Sequence, residues 1–395
     1  MKLSHILLLG IGFLAFGSPS NAQGDPKLEK ANAAVVGAFE THDIVMFGEF
    51  HGNKQEYAWL RSLVATPEFA DRVDDIVMEM GNSLYQKSVD RYISGEHVPL
   101  EQVQKAWLNT VGVVGPPSPV TASLYEAVRG ENLKRRGKHQ MRILCGDPYI
   151  DWEKVSEKGD IAPYLANRDQ WFTQVVKDDV LAKHHCALLI MGWGHLVRVL
   201  PVPRRFSIEQ ELQAAGAKTY LIVVGTNTPG GYDDLDHRFD SWPTPVIVSL
   251  GGNWVGELPA MSMLSGGGAE GYQWMIGSGP SSAASASPPP PVKLKEVADA
   301  LLYLGPRDSL TSIEMTRAEL GGTPYGKEIE RRLAMEGFPA DFAAQLESAN
   351  SETPQFSRPK ASDTTAAPPP PRTPPSVPPP KNMGPPPLPP RPPSQ

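Results

Sequence analysis

Seven short apolar runs punctuate the chain: 43–47 (DIVMF), 75–80 (DIVMEM), 141–146 (MRILCG), 186–191 (CALLIM), 219–224 (TYLIVV), 246–250 (VIVSL) and 300–304 (ALLYL). They are continuous rather than alternating, the pattern of strands buried on both faces of a parallel sheet covered by helices. Longer amphipathic stretches separate them. Tyr57, Leu60, Leu63 and Val64 recur at helical spacing, and the pattern predicts one long helix over 163–183. The expected fold class is α/β, a mostly parallel central sheet flanked by helices.

Two segments break the pattern. Residues 251–292 are rich in Gly and Ser and finish in four prolines, which predicts a flexible insertion at about 265–292. Residues 297–311 read as one further strand and turn, so the insertion is expected inside a domain spanning 23–350. Of 41 prolines, 18 fall in 354–395, a composition that forms no core and is expected to be disordered or polyproline II across a tail of 351–395. PPLPPR at 386–391 matches a PxxPxR ligand. The favoured role for the tail is a basic, extended spacer, and the alternative is a contact with a protein or cell-envelope partner. No repeat of 20–50 residues is visible.

The first 22 residues have the form of a secretory signal: Lys2, an apolar run from Ile6 to Phe16, then Ser20-Asn21-Ala22, with cleavage expected after Ala22. The run is too short to span a ~30 Å hydrocarbon core, so an exported protein, periplasmic or extracellular, without a membrane span in the mature chain is expected; an uncleaved anchor is the alternative. Cys145 and Cys186 would pair if their strands were neighbours, and otherwise are buried thiols. The chain carries −7 overall, Lys2 adds one positive charge to the leader, and five bases against Asp363 give the tail +4, which leaves the body at −12. That balance excludes nucleic acid as the body's expected partner.

Open parallel sheets bind ligands at the carboxyl ends of their strands. There the first four runs end in Gly48-Glu49-Phe50-His51, in Glu79 with Gly81-Asn82, in Gly146-Asp147-Pro148, and in Gly192-Trp193-Gly194-His195. The composition alone yields about 0.8 GxxH matches by chance, so the weight lies in their placement after apolar strands. Glu79 stands inside such a strand, where an unpaired carboxylate is costly. Glu49 has a structural alternative as an ion-pair or turn residue and Asp147 as a turn residue before Pro148; Arg168, in a helix candidate with Asp169, would either neutralise the carboxylates or form a surface ion pair. Glu56, three residues after Asn53, has the spacing of a capping box.

GEFHG at 48–52, the Glu of VMEMGN at 77–82, the Gly-Asp of LCGDP and the second GxxH at 192–195 resemble the superfamily joining erythromycin esterase-like, ChaN-like haem-binding and Tiki/TraB proteins. The resemblance spans about residues 40–310. It implies an α/β sheet with paired GxxH histidines and acidic residues at one end; some members hydrolyse a macrolide ester, some are metal-dependent peptidases, and ChaN-like members bind haem through a Tyr. Only Phe50 separates Glu49 from His51, as in the ChaN-like pattern, which disfavours macrolide esterase activity.

Three readings follow. In a hydrolase of an ester, amide or peptide bond, His51 or His195 would be the general base, oriented by Glu49 and Glu79, with Asp147 in the crevice and Arg168 on the oxyanion. A metal-dependent form would hold a divalent ion on His51, His195 and Glu79. Gly-x-Ser-x-Gly is absent, which favours direct attack by water. The alternatives are a haem- or iron-binding protein with an axial His or Tyr, and a non-catalytic scaffold.

Overall fold

The computed structural model describes residues 24–111, 118–199, 206–225, 238–264, 292–306, 309–313, 323–336 and 352–354. The predicted leader, nearly all of the predicted insertion and the predicted tail beyond 354 lie outside these residues. The chain is α/β. Its main sheet has eight strands: β1 (Leu28–Lys30), β2 (Ile44–Glu49), β3 (Asp75–Asn82), β4 (Arg142–Asp147), β5 (Ala187–Gly192), β6 (Thr219–Val224), β7 (Val246–Ser249) and β8 (Ala300–Tyr303). Their order is β1-β7-β8-β6-β2-β5-β3-β4. Only β7 runs against the others, antiparallel to both β1 and β8. A second sheet pairs β9 (Thr311–Ile313) with β10 (Glu352–Pro354).

Continuous apolar runs become strands here because both faces are covered. Along β2, Val45 and Phe47 join a core with the helices Lys54–Val64 and Pro119–Lys134, whereas Ile44 and Met46 join the opposite core with Arg168–Asp179 and Ile208–Ala214. β5 inserts between β2 and β3, although β3 and β4 precede it in the chain. The ends of β2, β5, β3 and β4 therefore stand side by side, which sets Glu49, Gly192, Glu79 and Asp147 along one edge. After the predicted insertion the chain returns to the same sheet as β8, between β7 and β6.

The structure corrects one expected helix, adds one strand and decides between the two readings of the cysteines. The helix predicted over 163–183 is two helices, Lys158–Ala166 and Arg168–Asp179, followed by the 3₁₀ turn Leu181–Lys183. Asn167 leaves the helical region (φ −118°, ψ 16°), and its side chain donates to the Pro163 carbonyl at 2.8 Å. The chain thus restarts a helix with Arg168 and Asp169 in its first turn. The strand β1 went unread because its sequence, Leu-Glu-Lys, is too short and polar to show a run. Cys145 and Cys186 are both free, because β3 lies between β4 and β5 and keeps their strands apart. No helix among the described residues is long and apolar enough to cross a membrane.

Candidate active site

Glu49 ends β2 and is buried, and the next turn brings His51 back over the sheet edge with its ring half exposed. That return needs close backbone approach. A Cβ on Gly48 would lie 2.9 Å from the backbone of Trp193, and one on Gly192 would lie 2.9 Å from His51 Nε2. His51 donates from Nδ1 to Glu49 Oε1 at 3.1 Å and places Nε2 3.7 Å from Glu79 Oε2. Since an ionised carboxylate only accepts, the flanking carboxylates favour the imidazolium. Burial opposes that charge, but Glu79 and the Glu49 hydrogen bond outweigh it and raise His51 to about 9.

Glu79 sits where the β3–β4 register shifts, between Met78 and Asn82, an irregularity of the kind that re-aims side chains at sheet ends. Its carboxylate is buried, yet it ionises readily. Burial alone would push its pKa up, whereas Arg168, His51, His195 and the Gly192 N–H bring it down to about 2. The Gly192 N–H donates to Oε2 at 2.6 Å, and Arg168 Nη1 lies 2.7 Å from Oε1. Arg168 also donates from Nε to Asp147 Oδ1 at 2.5 Å, and the Val111 N–H reaches Oδ2 of the same carboxylate. At Asp147 burial prevails, and its pKa rises to about 6 despite the guanidinium.

His195 approaches Glu79 from the other side. Its Nδ1 donates to Asp169 Oδ1 at 2.7 Å, and its Nε2 lies 3.8 Å from Glu79 Oε1. Each histidine is thus anchored by Nδ1 on its own carboxylate, with Nε2 turned toward the two oxygens of Glu79. All six residues singled out in the sequence, Glu49, His51, Glu79, Asp147, Arg168 and His195, meet in this network.

Arg168 is almost wholly buried and pairs with Glu79 and Asp147, the neutralising role and not the surface ion pair. It positions carboxylates rather than facing a reacting oxyanion. The orienting partner of His195 is Asp169, whose only signal in the sequence is adjacency to Arg168, which the break at Asn167 converts into a shared first turn. Glu56 supplies half of the expected capping box: Asn53 Oδ1 accepts from the Glu56 N–H at 2.9 Å, but the Glu56 carboxylate accepts the Phe50 N–H at 3.0 Å. Burial and the charge of Glu49 push its pKa well up.

A divalent ion fits these donors. One ligand atom each from Glu49, His51 and Glu79 lies within 4.8 Å of the other two, and Glu49 Oε2 is buried without a hydrogen-bond partner. Both histidines show the carboxylate-anchored Nδ1 that orients metal-ligating imidazoles. Separately, a cavity of about 890 Å³ lined by Tyr85, Leu108, Trp152 and Tyr325 contains none of the six residues. Its lining residue Asn109 accepts at its carbonyl from Asn82 at the end of β3.

The chain matches no protein-family model and no curated protein. Among solved structures it is similar to a protein from Bacillus cereus, at 12% identity and a TM-score of 0.42, over 71% of this chain and 95% of that one. It is also similar to ChaN of Campylobacter jejuni, described with cofacial haem binding, at 11% identity and a TM-score of 0.30, over 51% of this chain and 87% of that one. The type III effector HopBA1 shows 12% identity and a TM-score of 0.34, over 53% and 91% of the two chains.

Proposed function

We propose that this crevice activates water for hydrolysis of an ester, amide or peptide bond. The observation that carries the reading is the pair of carboxylate-anchored imidazoles, Glu49–His51 and Asp169–His195, whose Nε2 atoms face Glu79 from opposite sides. His195, oriented through Nδ1 by Asp169, is the general base that takes a proton from water at Nε2. His51, held protonated by Glu79 and Glu49, is the general acid that gives a proton to the leaving group. Glu79 fixes the separation of the two rings, and Arg168 keeps it ionised and in place. Of the ligand set expected from the sequence, His51 and Glu79 lie in the candidate ion site and Glu49 stands in place of His195; if these three held a divalent ion, it would supply Lewis acidity and lower the pKa of water.

The test screens p-nitrophenyl esters and amino-acid p-nitroanilides against the full chain, with metal analysis of the purified protein. Hydrolysis should fall ~10²–10⁴-fold in His195→Ala and in His51→Ala, and detectably in Asp169→Asn. Turnover that is unchanged in both histidine variants would defeat the reading. Haemin added to the same samples separates the other function: a Soret shift at one equivalent, lost in His51→Ala, together with no hydrolysis, would make this a haem site.

A further inference from the structure

The cavity beside the end of β3 is built from residues that the hydrolytic crevice does not use, and every residue lining it is among the described ones. Its walls come from 101–109, from 152–153 and from the helix Pro324–Glu336. That helix is strutted against the other walls. Arg332, almost fully buried, donates to the Leu108 carbonyl at 3.1 Å, to Asn109 Oδ1 at 2.7 Å and to Glu328 Oε1 at 2.8 Å. Its guanidinium also lies 4.1 Å from the centre of the Trp152 ring. Arg331 donates to the Trp152 and Val155 carbonyls at 2.8 and 2.7 Å. Both guanidinium groups are committed to the walls, which keeps the cavity preformed.

The surfaces facing the space are aromatic: Tyr85, Trp152 and Tyr325 supply rings, with Leu108 and Pro324 beside them. Trp152 Nε1 and the Tyr325 hydroxyl already donate to carbonyls of Leu108, Asn109 and Thr110. The Tyr85 hydroxyl instead accepts from Asn109 Nδ2 at 3.2 Å, which leaves its own proton for an acceptor. Apolar surface continues outward, since Leu84 and Leu100, each next to a lining residue in the chain, are 40% and 55% exposed. Glu101, Lys105 and Glu153 stand exposed at the rim. Lys105 lies 3.9 Å from Glu153, and among the described residues no cation pairs with Glu101. A ligand suited to this lining is apolar, rich in carbonyls, poor in N–H groups and positively charged at one end.

We propose that the cavity holds the chain's own segment 386–391, PPLPPR, docked in cis as a polyproline II helix. Four of its six residues are prolines, which have no N–H, and polyproline II leaves every carbonyl unpaired, so the segment presents mainly acceptors. The three-residue period puts Pro386 and Pro389 on one face, the form that aromatic-lined grooves recognise. Arg391 follows Pro389 by two residues and supplies the cation for Glu101. The tail's charge of +4 against a body at −12 favours the same encounter. The reach is sufficient. Thr323 in the cavity wall is joined by a short stretch of chain to Thr311, which pairs with Pro354, so the cavity lies within roughly 50 Å of Pro354. A polyproline II segment as long as 354–386 spans about 100 Å. The inference concerns binding alone and stands apart from the hydrolytic reading.

The probe is fluorescein-labelled MGPPPLPPRPP, residues 383–393, read by fluorescence anisotropy against the full chain. In the native chain the tethered segment competes at an effective concentration on the order of millimolar, which weakens a probe with a Kd of about 100 µM or tighter by about tenfold or more. A full chain carrying both Pro389→Glu and Arg391→Glu should therefore bind the probe about tenfold or more tightly than the native chain does. Adding Glu101→Lys, an exposed change, should weaken that binding about fivefold, and a probe carrying Arg391→Glu should recover it. Equal probe affinity in the native and doubly substituted chains, absence of binding to both, or binding indifferent to Glu101→Lys would overturn the proposal. So would a dimer of the native chain that the double substitution dissolves, which would put the tail of a second copy in the cavity. A small molecule retained by the purified chain in native mass spectrometry would overturn it as well, and make the cavity a site for that ligand.

Discussion

Glu79 sets the charge state of its neighbours, because it touches both histidines and the one guanidinium of the site. His51 gains its proton mainly against burial through Glu79, so metal-free protein should show a His51 imidazole titrating near 9 by NMR, and Glu79→Gln should return it toward 6.5. The sign of the linkage follows. A raised histidine contributes stability in full below about 6.5 and loses it as pH rises through 9, whereas the lowered Glu79 contributes above about 4.5 and loses it as pH falls toward 2. A His51 titrating at 6.5 in both proteins would show that Glu79 does not govern it. Arg168 is the counterpart. Arg168→Met leaves Glu79 and Asp147 buried without their cation and should cost about 3–5 kcal/mol in urea unfolding at pH 8. The deficit should shrink at pH 5, where Asp147, already raised to about 6, takes up a proton.

At the scale of elements, the strand ends were legible and the helix start was not. The apolar runs declared β2 to β8 because burial on both faces leaves few polar positions inside a strand, and the rule that sites lie beyond parallel strand ends located Glu49, Glu79, Asp147 and His195. Asp169 stayed hidden because nothing in the pattern marks Asn167 as a break; that depends on a side-chain bond to Pro163. Glu56 stayed hidden because its cap spacing is real while its carboxylate serves the Phe50 N–H. Close packing between elements also escapes sequence reading, and Gly192 shows its consequence. Gly192→Ala places a methyl 2.9 Å from His51 Nε2 and 3.4 Å from Glu79 Oε2. It should displace the His51 ring and lower any hydrolytic turnover by about 10²-fold, the scale of a ~1 Å misplacement. Circular dichroism should be unchanged, and full activity in this variant would mean that His51 does not work from the observed position.

Over the whole molecule, the question is whether the chain on the two sides of 265–291 folds as one unit. β8 lies between β7 and β6, with Leu301 in one core and Leu302 in the other, both fully buried. Leu302 packs in the core that contains Phe47, Tyr57 and Tyr125, while Leu189 of β5 packs in the core on the opposite face. If the sheet is continuous in solution, Leu302→Ala and Leu189→Ala should each cost about 2–5 kcal/mol and move the same unfolding transition. Tryptophan fluorescence and far-UV circular dichroism would follow it together, since tryptophans lie in both cores and the sheet joins them. An independent segment beyond the insertion behaves differently: Leu302→Ala would then split off an early transition and leave the main one in place. A single displaced transition makes β8 a structural requirement for the site, because β6 is held between β8 and β2, and β2 ends in Glu49.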